Sequence, residues 1–424
     1  MRKTLLILTA GALTFTACKK SSYPEVEPDD IYELPYNKES VEANKAFVES
    51  EGRNLVKQVD GLQNETAFDA LESLSELDLP ELELSTTLAA VTKLGTSTKK
   101  IAAISGALSE AVGLGSKVET YKLSNAFGIY KYNGTTGTWD KTASNDKIEF
   151  HFPSTKGGKS NDAVLAFTYK NAGKTFTQKD IEYDYIENNG NWEPQNTDVE
   201  RIYELPASVL GTLSIGGKKA LELNSTFDYH GDNLPKSALA KMTIGAYSAQ
   251  TEVNNDNKAA TVKFTFAKNG QALIAASGNS TFDNISFDKL TNDEADLADL
   301  LLIANTNIVV RDITMAGQID FAKVNSSVKH IENDEKEYNA ALAKALNENS
   351  KIIVVNTKKQ EKIASLLFQA GENVFGDFHE YYTDALLVFG NGSKVSFDTF
   401  GNTGFQSLID DFNDLIKKFK KSSE

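Results

Sequence analysis

Few residues in this chain have types and spacing suited to chemistry, and most of them fail on inspection. Gly158-Lys159-Ser160 ends like a phosphate-binding loop, in which backbone N–H groups and the lysine would cradle phosphates. That loop needs glycine at position 153, where this chain has Pro153. It must also open a helix whose N-terminus faces the anion, whereas this one joins two alternating segments and reads as a hairpin. His379-Glu380-Tyr381-Tyr382-Thr383-Asp384 resembles half of a zinc helix, but the second histidine one turn on is missing, with Thr383 in its place. His151, His230 and His330 have no ligand at short spacing. Asp180, Glu182 and Asp184 alternate with Ile181, Tyr183 and Tyr185. That is an acidic strand face, open to calcium in principle but ordinary as the solvated side of a half-buried strand. No Gly-x-Ser-x-Gly elbow occurs. A glycosidase needs only two suitably separated carboxylates, and 59 acidic residues offer many pairs without singling one out. The expectation is a protein with no catalytic residues, no cofactor and no metal, and a two-carboxylate hydrolase ranks last among its functions.

The one remaining reactive group is Cys18, the only cysteine in 424 residues. A single thiol excludes a disulfide framework, a cysteine-zinc site and an iron–sulfur cluster within one chain. Composition narrows the partners. Forty-four basic residues against 59 acidic ones give a net charge of −15, which argues against nucleic acid. With 40% hydrophobic residues the chain has material for one large or two medium cores.

Cys18 sits in a telling place. Arg2 and Lys3 precede an uncharged apolar run, Leu5 to Ala17, too short to span a bilayer and of the right length for a secretory signal. The run ends Phe15-Thr16-Ala17-Cys18. This resembles the lipobox of bacterial lipoproteins, although the commonest residue three before the cysteine is leucine, not phenylalanine. The resemblance implies that signal peptidase II removes residues 1–17 and that Cys18 carries the lipid. Lys19 follows the cysteine where aspartate would retain a lipoprotein at the inner membrane, so the resemblance points to the outer membrane. Lys19 and Lys20 ahead of Glu25 and Glu27 are loosely similar to the export signal of Bacteroidota surface lipoproteins, with the acids several residues late. The lipid, and not charge, would then hold so acidic a chain at a membrane.

The elements that carry these residues follow from periodicity. Residues 18–36 combine the lipidated cysteine with Pro24, Pro28, Pro35 and five acids, the composition of an extended tether. Residues 37–118 read as helical, with one helix across Lys38–Gln63 and another carrying Phe68, Leu71 and Leu74 before Pro80. From about Lys117 the period becomes two: Ile148/Phe150/Phe152, Leu221/Leu223/Phe227/Tyr229, Met242/Ile244/Ala246 and Val262/Phe264/Phe266 each share a face. Beyond residue 290 the spacing predicts a helix through Leu297, Leu300 and Leu301, and a strand from Ile308 to Ala322. It then predicts a helix at Tyr338–Leu346, a strand at Ile352–Val355, a helix through Ile363, Leu366, Leu367 and Ala370, and a hairpin at Leu386–Phe397. The last helix carries Phe405, Leu408, Ile409, Phe412, Leu415, Ile416 and Phe419 on one stripe and should dock.

The fold class expected is therefore α+β: a helical segment, a large curved antiparallel sheet over 119–424 with helices on one face, and a C-terminal amphipathic helix. An apolar sheet face that is filled is only a core, whereas one left open is a groove. Phe227, Phe264 and Phe266 are the lining such a groove for an apolar ligand would use. The sequence thus favours a structural or interaction lipoprotein of the envelope, with the membrane as partner through Cys18 and an envelope protein as the other. A carrier of a lipid, another apolar ligand or a glycan is the alternative. The anchor makes the first testable claim. Cys18→Ser should abolish incorporation of radiolabelled palmitate, since no other sulfur can accept the lipid, and label on the variant would remove the lipoprotein assignment.

Overall fold

Alternation decides the strands, because only one side of a pleated chain can be buried against a single layer. In the computed structural model Ile148, Phe150 and Phe152 are all buried and the polar residues between them half-open. The structure describes residues 31–77, 119–121, 127–188, 191–231, 235–283, 300–331, 334–376, 378–402 and 405–421. The chain is α+β, dominated by a sheet that does not close on itself. It divides into two compact units, residues 64–245 and residues 1–63 with 246–424. This differs from the expected split at 118/119. Helix α1 (Val41–Val59) belongs to the unit that ends the chain, and α2 (Thr66–Ser75) to the other. Of the 37–118 segment, residues 78–118 lie outside the described residues, as does everything before Ile31.

The 64–245 unit holds β1 (Glu119–Tyr121), β2 (Gly128–Asn133), β3 (Thr138–Thr142) and β4 (Lys147–Phe152). It continues with β5 (Ala163–Asn188), β6 (Asn191–Ile215), β7 (Lys218–Tyr229) and β8 (Pro235–Ile244). Their order is β3-β2-β4-β5-β6-β7-β8, with β1 alongside β6. The pairs β2–β4 and β1–β6 are parallel, so the sheet is mixed and not wholly antiparallel as expected. Register carries one buried residue per strand across six strands: Tyr130, Phe150, Leu165, Leu213, Leu221 and Ile244. Helix α2 packs against β6 and β7. It buries Ala67, Ala70, Ser73 and Leu74, a stripe rotated one position from the one read off Phe68 and Leu71. Gly211 leaves room for the Phe167 ring, which a Cβ there would approach to 3.0 Å.

The other unit carries β9 (Tyr247–Asn255) and then β10 (Ala259–Lys268), β11 (Gln271–Phe282), β12 (Leu301–Val310) and β13 (Ile313–Asp320). After helices α3 (Phe321–Val328) and α4 (Glu335–Asn349) come β14 (Ser350–Asn356), β15 (Glu361–Phe375), β16 (Phe378–Phe389) and β17 (Lys394–Ser396). From β10 to β17 every strand pairs antiparallel with its successor. Asp320 and Asp334 cap α3 and α4 by accepting from the amides of Lys323 and Glu337. Val324, Ala345 and Leu346 from these helices bury against Ile319 and Phe368 of the sheet. Further along, Ile363, Ala364, Leu387 and Phe389 form a buried cluster, against which Val354 and Leu366 of the sheet and Val41, Phe47 and Val48 of α1 pack. Ile353 and Val355 point the other way, and with Ala316 of β13 they are covered by the N-terminal Ile31, Tyr32 and Leu34. Strand β14 is therefore covered on both faces.

Five further expectations need correcting. Ile363, Leu366, Leu367 and Ala370 lie on strand β15, not a helix: their 3-1-3 spacing fits a helix, but a bulge opposite Val354/Val355 and pairing with β14 and β16 override that local pattern. The stretch Ile308–Ala322 is not one strand. It turns at Arg311, where φ is +53°, and its last two residues open α3. Leu301 begins β12, while residues 284–299 with the capping-box sequence lie outside the described residues. Residues 31–36 are not tether, since Ile31 is 6% exposed. The C-terminal helix α6 (Gln406–Lys421) follows the short α5 (Phe397–Asn402) and docks at its start. Phe405 is buried, Leu408 lies against Gly52, and Asp411 pairs with Arg53 Nε at 2.7 Å. Ile409, expected on the buried stripe, is 43% exposed, and the side chains of Phe412, Leu415, Ile416 and Phe419 lie outside the described residues.

The core role of Ile31 changes where the folded body must begin. Ile31→Ala should cost about 2–5 kcal/mol in urea unfolding, the range for truncating a buried isoleucine. A chain starting at Tyr36 should lose at least as much. Wild-type stability in either would return Ile31 to the tether.

Candidate functional site

The residues singled out in the sequence do not converge. Phe227 lies on β7 in the 64–245 unit, half-buried, while Phe264 and Phe266 lie on β10 in the other unit. Phe266 is already stacked on Tyr247, with centroids 6.0 Å apart. The three therefore do not form a single lining within one unit. The Gly158 loop joins two strands, and a carboxylate closes it. Asp162 Oδ1 accepts from the Ser154 amide and Oδ2 from its hydroxyl, each at 2.8 Å. These bonds hold the Asp162 carboxyl below the usual aspartate range. A loop whose turn amide is taken by an internal carboxylate suits no phosphate. Asp180, Glu182 and Asp184 share a face of β5 by register, and their side chains lie outside the described residues. Burial pushes the hydroxyls of Tyr169 and Tyr229 up, so both stay neutral, and Tyr229 donates to Pro206 O at 2.9 Å. Among the described residues no group of three His, Cys, Asp or Glu is placed to hold a metal, and no helix is long and apolar enough to cross a membrane.

Cys18 itself lies outside the described residues, but the chain that leads from it is built into the sheet. Strand β15 is paired with β16 only from Ala364 onward, which leaves its Lys362 edge open. Tyr36 fills that edge as a parallel bridge. The Lys362 amide donates to Pro35 O at 2.7 Å, and the Asn37 amide to Lys362 O at 2.9 Å. Lys362 Nζ donates to Tyr32 O and lies 4.7 Å from the Tyr36 ring centroid. Gly390 lets this strap pass, since a Cβ there would come within 2.6 Å of Asn37 O. The strap then turns into α1. Asn37 and Asn44, both buried, hydrogen-bond side chain to side chain, and Ser40 caps the helix through the Ala43 amide. Further along α1, Glu51 Oε2 meets Arg311 Nε at 2.8 Å on the β12–β13 turn. Composition hid this strap among acids and prolines. Ile31, Tyr32, Leu34 and Tyr36 were the apolar signal that could have found it.

A second feature the sequence reading missed is the β15–β16 hairpin. Its inner part is held by α4: Asn347 and Phe368 bond reciprocally, and Thr383 donates to Asn339 O. β14 reaches only to Ser365 and β17 only to Leu386, so the outer part is a two-stranded ribbon. His379 Nδ1 stands 2.5 Å from Glu372 Oε1 and holds that carboxyl below its ordinary range, with Lys336 beside it. This exposed pair is no zinc helix.

No family model, curated protein or solved structure matches this chain. Its reading rests on its own residues.

The Asp162 clamp gives a pH prediction. A carboxyl depressed by native hydrogen bonds stabilises the fold above its unfolded pKa of about 3.9, and that contribution is lost as pH falls through the lower folded value. Asp162→Asn should therefore cost about 1 kcal/mol or less at pH 7, given its exposure, and the gap from wild type should narrow below about pH 4. Equal urea midpoints at pH 7 would contradict the clamp.

Proposed function

We propose that this chain is a lipid-anchored protein of the bacterial cell envelope, attached through Cys18 to the outer membrane and acting as a structural or interaction protein. The observation that carries this reading is the sole cysteine standing at the end of a basic and apolar leader, after Phe15-Thr16-Ala17. Further support comes from the body. The first described residue, Ile31, is part of the core only 13 positions beyond Cys18, so the folded body begins soon after the proposed anchor. An acidic surface suits a protein that must stay dispersed at high local concentration on a membrane.

Fractionation tests the anchor. Wild type should stay with outer-membrane material in high salt and come off with detergent, whereas Cys18→Ser should leave that fraction. Native mass spectrometry of the detergent-released protein tests the role. A mass equal to the polypeptide plus its anchor fits the interaction reading, and an additional bound lipid would replace it with the carrier reading.

A further inference from the structure

The most exposed large apolar side chains described in the molecule lie together. Val374, Phe375 and Phe378 are 59%, 63% and 65% exposed, all at the end of the β15–β16 ribbon. A hairpin tip in water is ordinarily polar, because nothing there pays for exposed apolar area. Here Phe375 pairs directly with Phe378 around the turn at Gly376, where φ is +64°. Val374, one residue earlier, points to the opposite face. The ribbon end thus carries two exposed phenylalanines on one face, and on the other Val374 beside its cross-strand partner His379. Large apolar side chains at the projecting end of a ribbon suit partial insertion into an apolar layer, with the polar groups left at its boundary. Level with Val374 and behind the phenylalanines come side chains suited to an aqueous boundary. His379 is paired with Glu372 and stacks with Tyr381, while Asn373 donates to Glu380. Aromatic and polar groups behind an apolar end are the arrangement found at the edge of a bilayer.

We propose that the β15–β16 tip dips into the interfacial layer of the bilayer that Cys18 anchors to, as a second, weaker membrane contact. The inference rests on the lipoprotein reading, and chain lengths allow both contacts at once. Ile353, under Ile31, is level with Ser365, and ten further residues of strand lead to Phe375, about 33 Å at the usual rise. The 13 positions from Cys18 to Ile31 reach at most about 45 Å. Tethering makes the second contact intramolecular, so a few apolar side chains suffice where they would not hold a free protein. The contact orients the sheet with the ribbon end toward the membrane.

The test uses the full lipidated chain in phosphatidylcholine vesicles whose acyl chains carry bromine. A zwitterionic lipid is chosen because Glu372, Glu380 and, in the sequence, Asp377 would repel anionic headgroups. Phe378→Trp places a reporter at the tip, Phe375→Trp repeats it, and Lys344→Trp on the exposed side of α4 is the control; an unchanged melting temperature shows each variant folded. The expected result is emission from the tip reporters quenched about twofold or more by brominated lipid, with the control unaffected. Mass spectrometry of the same samples reads the acyl group on Cys18. Lipidated protein with unquenched tip reporters would overturn the tip contact and leave the anchor standing. Protein without an acyl group would overturn both. Reporters shielded from aqueous iodide yet untouched by bromine would overturn the bilayer contact in favour of a protein pocket.

Discussion

A sheet with an apolar face has to be covered, and in this protein the cover for the later sheet comes from the opposite end of the sequence. The strands β13–β16 present apolar side chains on both sides. α3 and α4 cover part of one face, α1 covers more of it, and the strap at Ile31–Tyr36 covers the other. None of these pieces is strongly apolar alone. α1 buries Asn44 and Glu51, two polar residues, and holds its place through their partners Asn37 and Arg311. Such contacts add little net free energy when made and cost much when one partner is lost, so they select this docking over others.

That division of labour explains which parts were legible in the sequence. Strands buried on one face announce themselves, and Ile148, Phe150 and Phe152 give the period without help from any neighbour. Helix α4 and the hairpin at Gly390–Gly392 are similarly local, decided by an aspartate cap and by turn chemistry. β15 is the reverse case. Ile363, Leu366, Leu367 and Ala370 satisfy a helical stripe, and only a bulge and two neighbouring strands make them a strand. The strap was hard to read for a related reason: its short alternation of Tyr32, Leu34 and Tyr36 stands among acids and prolines, and its backbone bonds go to Lys362, some 330 positions away. Long-range pairing leaves almost no local trace.

As to the site, the sequence carried the proposed anchor and nothing of what lies beyond it. Phe227, Phe264 and Phe266 were picked for alternation, a property of every half-buried strand, and they fall in two units. Phe375 and Phe378 broke the pattern by standing at a turn, and exposure, not periodicity, marks them. If Cys18 bears the lipid, the anchored chain joins the folded body at Ile31, as part of its core.

The central claim is that residues 31–63 are integral to the unit formed with 246–424, and native-state hydrogen exchange reads it most directly. The amides of Asn37 and Lys362 each donate across the strap, to Lys362 O and Pro35 O. They should exchange with the same opening free energy as the amides of β13 and β14, since neither set can open without uncovering the other. Exchange of Asn37 and Lys362 at loop rates while β13 and β14 stay protected would contradict the account.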